Sequence, residues 1–317
     1  MNALFLIDPI STLNPYKDSS YMMMLAASRL GDRVWITYKN EIEITPEGAL
    51  IGVQDVQVSE DKQSPWVVGE KQWIPASKFE LVFIRTDPPF DQGYLTDTWL
   101  MSLLPKSCFV LNSPHGLRTV NEKLWTTQFT PWTPKTLVSK EKSHIKAFLA
   151  AQHKLVGKPL NGFGGAGVFI LEENSLNINV IIEALTSNGT ELAIFQEYLP
   201  EAEFGDKRIL LLNGEPLGAI LRVHSKEDHR NNFFAGGTAK ATEITATEMN
   251  IIEDLNPHLK ALGLYFVGID IIGGRLIEVN VTSPTCIQEI NQANQVEIEN
   301  QIYAFAKAEY ERKTHEA

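Results

Sequence analysis

Asp270, Glu278 and Asn280 lie in the stretch Gly268–Pro284, GIDIIGGRLIEVNVTSP. Two apolar-rich runs flank Gly273-Gly274, the pattern of a β-hairpin. Loop length decides which side chains share a face. A two-residue loop pairs Ile272 with Arg275, sets Asp270 opposite Ile277 and mixes carboxylate with aliphatic on each face. A three-residue loop, Gly273-Gly274-Arg275, pairs Ile271 with Ile277 and Ile269 with Val279. Asp270 then lies across from Glu278, with Asn280 two residues along. That register separates polar from apolar, so it is the expected one. Two carboxylates and an amide oxygen on one face are hard donors, suited to a Mg²⁺ ion that shares its shell with substrate phosphates. An edge hairpin with a solvated polar face has the same composition, so the rest of the chain must decide.

Gly162-Phe163-Gly164-Gly165-Ala166-Gly167 has the form G-x-G-x-x-G. As a dinucleotide fingerprint it needs a strand before it and a helix after it. Here the apolar run Val168–Leu171 continues as a strand, so the loop joins two strands as a flap. A glycine flap can lay backbone N–H groups over phosphates. No Lys-Ser/Thr pair follows, which excludes a Walker A loop, and no H-R-D run supports a protein kinase. Lys158 precedes Pro159 and fits a strand end. With this cation upstream and the acidic face downstream, nucleotide binding is favoured over a flexible hairpin tip.

A chain of 317 residues, 44% apolar, can bury a sizeable core in two or three domains. The formal net charge of −11, with no basic stripe, argues against a nucleic-acid partner. Cys108 and Cys286 form no disulfide framework or metal spacing, which points to a reducing, cytoplasmic setting. The N-terminus lacks a basic signal-peptide region, and no apolar run approaches a membrane span.

Strands Leu4–Ile7, Arg33–Tyr38, Leu81–Ile84 and Cys108–Leu111 alternate with helices at Tyr21–Leu30, capped from Asp18-Ser19-Ser20, and at about 91–104. Glu41–Ser59 reads as a hairpin. The alternation predicts an α/β domain with a doubly wound, mainly parallel sheet. Ligands of such sheets bind beyond the carboxyl ends of the strands, so Asp18, Ser19, Arg85 and Asp87 are candidates for a polar substrate. A helix Leu117–Phe129 carries Asn121-Glu122-Lys123, and Thr130–Pro134 marks a junction. Strands at 136–138, 155–159, 168–171 and 192–196 accompany helices Lys142–Gln152 and Ile178–Asn188. Strands Lys207–Leu212 and Pro216–Val223 turn at Asn213-Gly214. His224–Lys240 is long and aperiodic, which suggests a lid. Thr245 caps a helix to about Leu262, and Gln288–Arg312 reads as one closing helix.

These runs together resemble the ATP-grasp superfamily and, within it, the bacterial type of glutathione synthetase. The resemblance covers essentially the whole chain. It rests on Asp87-Pro88-Pro89-Phe90-Asp91, Asn121-Glu122-Lys123, Lys158-Pro159-Leu160 with the glycine loop, and Val267–Thr285. It implies an N-terminal α/β substrate domain (1–120) followed by an ATP-grasp fold of two α+β subdomains. The first would hold the flap (121–200), the second the metal site and a substrate lid (201–317). The implied reaction joins γ-glutamylcysteine to glycine through an acyl phosphate, with ATP as phosphoryl donor and Mg²⁺, for which Mn²⁺ can substitute.

By the same resemblance Lys123, Lys158, Gly164, Gly165 and Gly167 meet the phosphates. Gln196, Glu197, Tyr198 and Leu199 meet adenine, and Asp206 reaches the ribose. Asp270, Glu278 and Asn280 hold metal. Arg208, Arg222 and Arg230 face the acyl phosphate, and Ser283 and Thr285 join Asp18, Ser19, Arg85 and Asp87 around the dipeptide. A homo-oligomer, in the form of a tetramer, is also implied. Two departures touch fine substrate contacts: Arg230-Asn231-Asn232 replaces Arg-Gly-Asn, and Thr86 stands where lysine is common. The competing readings are a glutamate or D-alanine ligase, which the aspartate–diproline run argues against, and a nucleotide-binding regulator. The regulator would have lost Lys123, Lys158, Arg222 or the D…E-x-N set, and all are present.

Overall fold

A computed structural model describes residues 1–223 and 238–316. Arg230 and most of the expected lid, 224–237, lie outside the described residues. The N-terminal part runs β1 (Asn2–Leu6), α1 (Ser19–Arg29), β2 (Arg33–Thr37), β3 (Ile42–Thr45), β4 (Gly48–Val58), β5 (Trp66–Val68), β6 (Gln72–Pro75), β7 (Leu81–Ile84), α2 (Gln92–Met101), β8 (Phe109–Leu111) and α3 (Pro114–Thr119). Its sheet has the order β3-β4-β2-β1-β7-β8, with β5 and β6 also paired to β4. The parallel part is β2-β1-β7-β8, and an antiparallel extension widens it. Alternate residues of β1 enter different cores: Leu4 and Leu6 one, Ala3 and Phe5 the other. Both faces are therefore covered, as a parallel sheet requires. Phe5 and Phe83 are register partners on β1 and β7, stacked at 4.6 Å.

The middle of the chain runs β9 (Thr136–Ser139), α4 (Lys142–Gln152), β10 (Lys154–Pro159), β11 (Phe169–Glu172), α5 (Ile178–Leu185) and β12 (Ala193–Glu197). Its antiparallel sheet, β11-β10-β12-β9, has a core of its own built on Ile145, Leu149, Leu155, Leu171 and Phe195. The last part runs β13 (Asp206–Leu212), β14 (Glu215–Val223), β15 (Thr238–Ala241), α6 (Ala246–Ala261), β16 (Phe266–Ile272), β17 (Arg275–Asn280), α7 (Ile287–Asn294) and α8 (Ile298–Glu316). Its sheet is β15-β14-β13-β16-β17.

Three expectations need correction. The helix expected over Leu117–Phe129 ends at Thr119, and a short 3-10 turn occupies Trp125–Gln128. Between them the Asn121 side chain accepts from the N–H groups of Lys123 and Leu124, an alternative to helical bonding. The Glu122 carbonyl is drawn away to accept from Val279 N. The closing helix is two helices, broken at Gln295 in the left-handed region, with Asn291 Oδ1 accepting from Ile298 N. Residues 238–240, expected in the loop, belong to β15, which pairs with β14 from Val223–Thr238 to Ile220–Ala241.

The central hairpin is half as expected. Its loop is two residues, Gly273 (φ 55°) and Gly274 (φ 73°), both in the region a type I′ turn needs. Ile271 pairs with Leu276, not with Ile277. A bulge then leaves Ile277 unpaired and restores Asp270 opposite Glu278 and Ile269 opposite Val279.

Candidate active site

Register places the charged groups. Arg222 on β14 is the partner of Asp206 on β13; Arg208 on β13 is the partner of Asp270 on β16; Asp270 is the partner of Glu278 on β17. Alternation puts these side chains on one face of the sheet, while Ile209, Ile269 and Val279 enter the core behind it. The result is a charged face across four strands, with Arg208 and Arg222 on one side of Asp270 and the Glu278 carboxylate opposite it on the other.

The contacts are close. Arg208 Nε and Nη2 donate to Asp270 Oδ1 and Oδ2 at 2.5 and 2.9 Å. Arg222 grips Asp206 with Nε (3.0 Å) and Nη2, and its Nη2 lies 3.0 Å from Asp270 Oδ2. Burial alone would raise the Asp270 carboxyl, but the two guanidiniums outweigh it and hold it well below the usual carboxylate range. Asn280 Nδ2 donates to Asp270 Oδ2 at 3.3 Å, and its amide oxygen has no hydrogen-bond partner among the described residues. An ionised carboxylate, a second carboxylate opposite and an amide oxygen fit a hard divalent cation.

Above this face stands the middle sheet. Lys158 is buried on β10 and has no ion pair or hydrogen bond among the described residues. Burial pushes its ammonium down to about 8. Lys123 lies 2.8 Å from Glu278 and also donates to the Gly162 carbonyl. The glycine loop joins antiparallel β10 and β11, as a flap should, with Gly164, Gly165 and Gly167 at φ 60°, 75° and 71°.

Between the sheets lies a cleft of about 500 Å³. It brings together Lys123, Lys158, Gly164, Gly165, Tyr198, Asp206, Arg208, Arg222, Asp270, Glu278, Asn280, Asp87, Ser283 and Thr285. Its described lining carries six carboxylates and four cations. A triphosphate alone would add to that negative excess.

Other expected residues are not on its wall. Asp18 caps α1 through Tyr21 N at 2.7 Å. The Ser19 hydroxyl accepts from Ile287 N, and so supports the start of α7. Arg85 is buried, donating to Ser20 Oγ and to the Pro284 carbonyl at 2.9 Å; it positions the Ser283–Thr285 turn. Gln196 is buried and donates to Thr136 Oγ1, while the N–H of Glu197 bonds the Lys135 carbonyl. Gly167 packs beside the Pro159 ring, and Leu199 precedes a short 3-10 turn.

Sequence reasoning missed Glu122 and Asn112. Glu122 Oε1 accepts from Val281 N, Thr282 N and Thr282 Oγ1, tying the segment after β17 to the cleft wall. Burial, then Glu278, pushes its carboxyl above the usual range. Asn112 donates to the carbonyls of Phe266 and Val281 and accepts from Phe266 N. A buried amide in a strand-end Asn-Ser-Pro run was the available signal, but its partners lie more than 150 residues away.

Comparison with known proteins gives one family. The model of the prokaryotic glutathione synthetase N-terminal domain matches residues 1–118, and that of its ATP-grasp domain matches residues 122–295. A glutathione synthetase of Thermosynechococcus vestitus is 42% identical over 315 residues, 96% of this chain and 99% of that one. One from Vibrio parahaemolyticus is 40% identical over 294 residues, 92% of this chain and 93% of that one. Among solved structures, D-cycloserine synthetase DcsG superposes with a TM-score of 0.69 at 15% identity, over 98% of this chain and 99% of the other. The macrocyclase MdnC from Microcystis aeruginosa, with its precursor peptide, gives 0.65 at 16%, over 97% and 100%. These two likenesses concern the fold alone.

Proposed function

The chain belongs to the prokaryotic glutathione synthetase family, and from that premise we propose how its residues divide the work of an ATP-dependent carboxylate–amine ligase. The enzyme joins glycine to the cysteinyl carboxylate of γ-glutamylcysteine. That carboxylate takes the γ-phosphoryl group of ATP, releasing ADP. The glycine nitrogen then forms the amide bond as phosphate leaves, and the amine gives up a proton. The observation that supports this division is the single cleft in which Lys158, Lys123 and the glycine flap face the Asp270–Glu278–Asn280 row.

In this reading Lys123 and Lys158 bind the phosphates, and the flap N–H groups close over them. Asp270, Glu278 and Asn280 would hold Mg²⁺, which neutralises phosphate charge when bound. Arg208 and Arg222 keep Asp270 ionised and present guanidinium edges to the acyl phosphate. Tyr198, on the cleft wall, meets the adenine, with Gln196, Glu197 and Leu199 holding the strand end that presents it, and Asp206 takes the ribose. Asp87, Ser283 and Thr285 meet the dipeptide, with Asp18, Ser19 and Arg85 supporting them from behind; Arg230 is assigned to the acyl phosphate as well.

We take the chain as three units, 1–120, 121–200 and 201–317. The three sheets support that division, although α7 and α8 pack back on the first unit. A homotetramer and a cytoplasmic setting complete the reading; both thiols are free and buried. No helix among the described residues is long and apolar enough to cross a membrane. The test is ADP release with ATP, Mg²⁺ and glycine, offering γ-glutamylcysteine against alanyl and glutamyl acceptors. Turnover with γ-glutamylcysteine alone is expected; preference for another acceptor overturns the assignment.

A further inference from the structure

A smaller cavity of about 220 Å³ adjoins the cleft, and Glu122, Lys123 and Gly162 line both. Two charged side chains on its wall, Glu122 and Arg118, differ. Glu122 has Oε1 clamped by three donors, at 2.9, 3.1 and 2.9 Å, while Oε2 has no hydrogen-bond partner among the described residues. Arg118 uses Nη1 on the Thr98 carbonyl and Ser102 Oγ, and its Nε and Nη2 make no hydrogen bond among the described residues. The charge of Lys123 is turned to Glu278 at 2.8 Å. Asn121 and Asn161 add amides to the wall, and Pro88 and Phe90 add apolar surface.

A bare anion in this cavity would face Glu122, and a bare cation would face Arg118. A small molecule carrying both charges satisfies both groups. We propose that the cavity is a binding site for an α-amino-acid zwitterion, with the ammonium on Glu122 and the carboxylate on Arg118. This rests on the reaction assigned above, which supplies two such groups: glycine itself and the γ-glutamyl end of the dipeptide. The small volume and the opening beside the phosphate lysine suit glycine, the amine that must approach the acyl phosphate.

Wild-type glutathione formation tests the reaction; the variants Glu122→Gln and Arg118→Gln test the cavity. Each should raise KM for the same one of the three substrates by at least tenfold, with KM for ATP changed less than about twofold. A rise confined to glycine assigns the site to glycine, and a rise confined to γ-glutamylcysteine assigns it to the γ-glutamyl end. Calorimetric titration of each into ADP-loaded enzyme reads the same loss without turnover. If the two variants leave both affinities unchanged, or disturb all three substrates alike, the proposal is wrong. A fall in Tm for Glu122→Gln with no effect of Arg118→Gln on substrate affinity also overturns it, because Glu122 would then only anchor Thr282.

Discussion

Lys158 is a buried ammonium with no hydrogen bond or ion pair among the described residues, and if it meets the nucleotide phosphates, as proposed, nucleotide binding is pH-dependent. The folded lysine titrates at about 8, against 10.5 in an open chain. Triphosphate placed beside it favours the charged form, so binding draws in a proton. At pH 7.5 about three quarters of the enzyme carries the charge, and at pH 9 about one tenth. If the bound state needs the ammonium, affinity falls about eightfold between those values, roughly 1.2 kcal/mol. Near pH 8 about half a proton is taken up per nucleotide. Calorimetry with a non-hydrolysable ATP analogue and Mg²⁺, at fixed ionic strength and in two buffers of different ionisation heat, measures both quantities. Lys158→Arg keeps its charge throughout and should give a flat profile.

The same lysine sets a cost on the free protein. The unfolded chain binds more protons between pH 8 and 10.5, so stability rises as pH climbs through that window. At pH 7 the buried charge costs roughly 3 kcal/mol in full. Lys158→Met should therefore raise Tm while nucleotide binding is lost. A flat wild-type affinity with no proton uptake, or a Met variant less stable than the parent, would refute the reasoning.

Three further outcomes are expected. Glu278→Gln removes a carboxylate and leaves Lys123 without its 2.8 Å partner; turnover should fall at least about 10²-fold, near 2.7 kcal/mol of barrier, and saturating Mg²⁺ should not restore it. Gly205→Ala adds a Cβ that meets the Arg222 carbonyl at 2.4 Å, at φ 119°, and should cost about 2 kcal/mol in urea unfolding with loss of activity from a displaced Arg222. Asn112→Ala leaves the buried Phe266 N–H and two carbonyls unpaired, and should lower stability by roughly 2–4 kcal/mol by the same measurement.

The polar row was legible because a sheet alternates with period two: Asp270, Glu278 and Asn280 separate from the isoleucines in only one register. The turn was not legible, because a two-residue loop plus a bulge gives the same pairing at Asp270 as a three-residue loop. Asp18 illustrates a different limit. The same residue type serves as helix cap and as ligand group, and only the 2.7 Å bond to Tyr21 N distinguishes them. Arg85 likewise looks like a ligand cation in sequence but supports the Pro284 carbonyl 199 positions away. The helix expected through Asn121-Glu122-Lys123 failed for a tertiary reason. Its side chains and carbonyl bond β17 and the residues after it, which no local pattern records.

The middle sheet owns its core, whereas the first and last parts of the chain share theirs. One face of the N-terminal sheet is completed only by α8: Phe83 stacks on Tyr303 at 5.8 Å, and Asp32 receives Tyr303 and Lys307. A ribosome makes these partners last. While residues 136–197 can close their core as soon as they emerge, the sheet begun before them must wait with Phe83 lacking its Tyr303 partner. The nascent chain therefore carries an open apolar face through most of its synthesis, and a chain stopped short of α8 keeps that face for good. Such a fragment should be captured by chaperones or aggregate, even though every group in the cleft is already present in it.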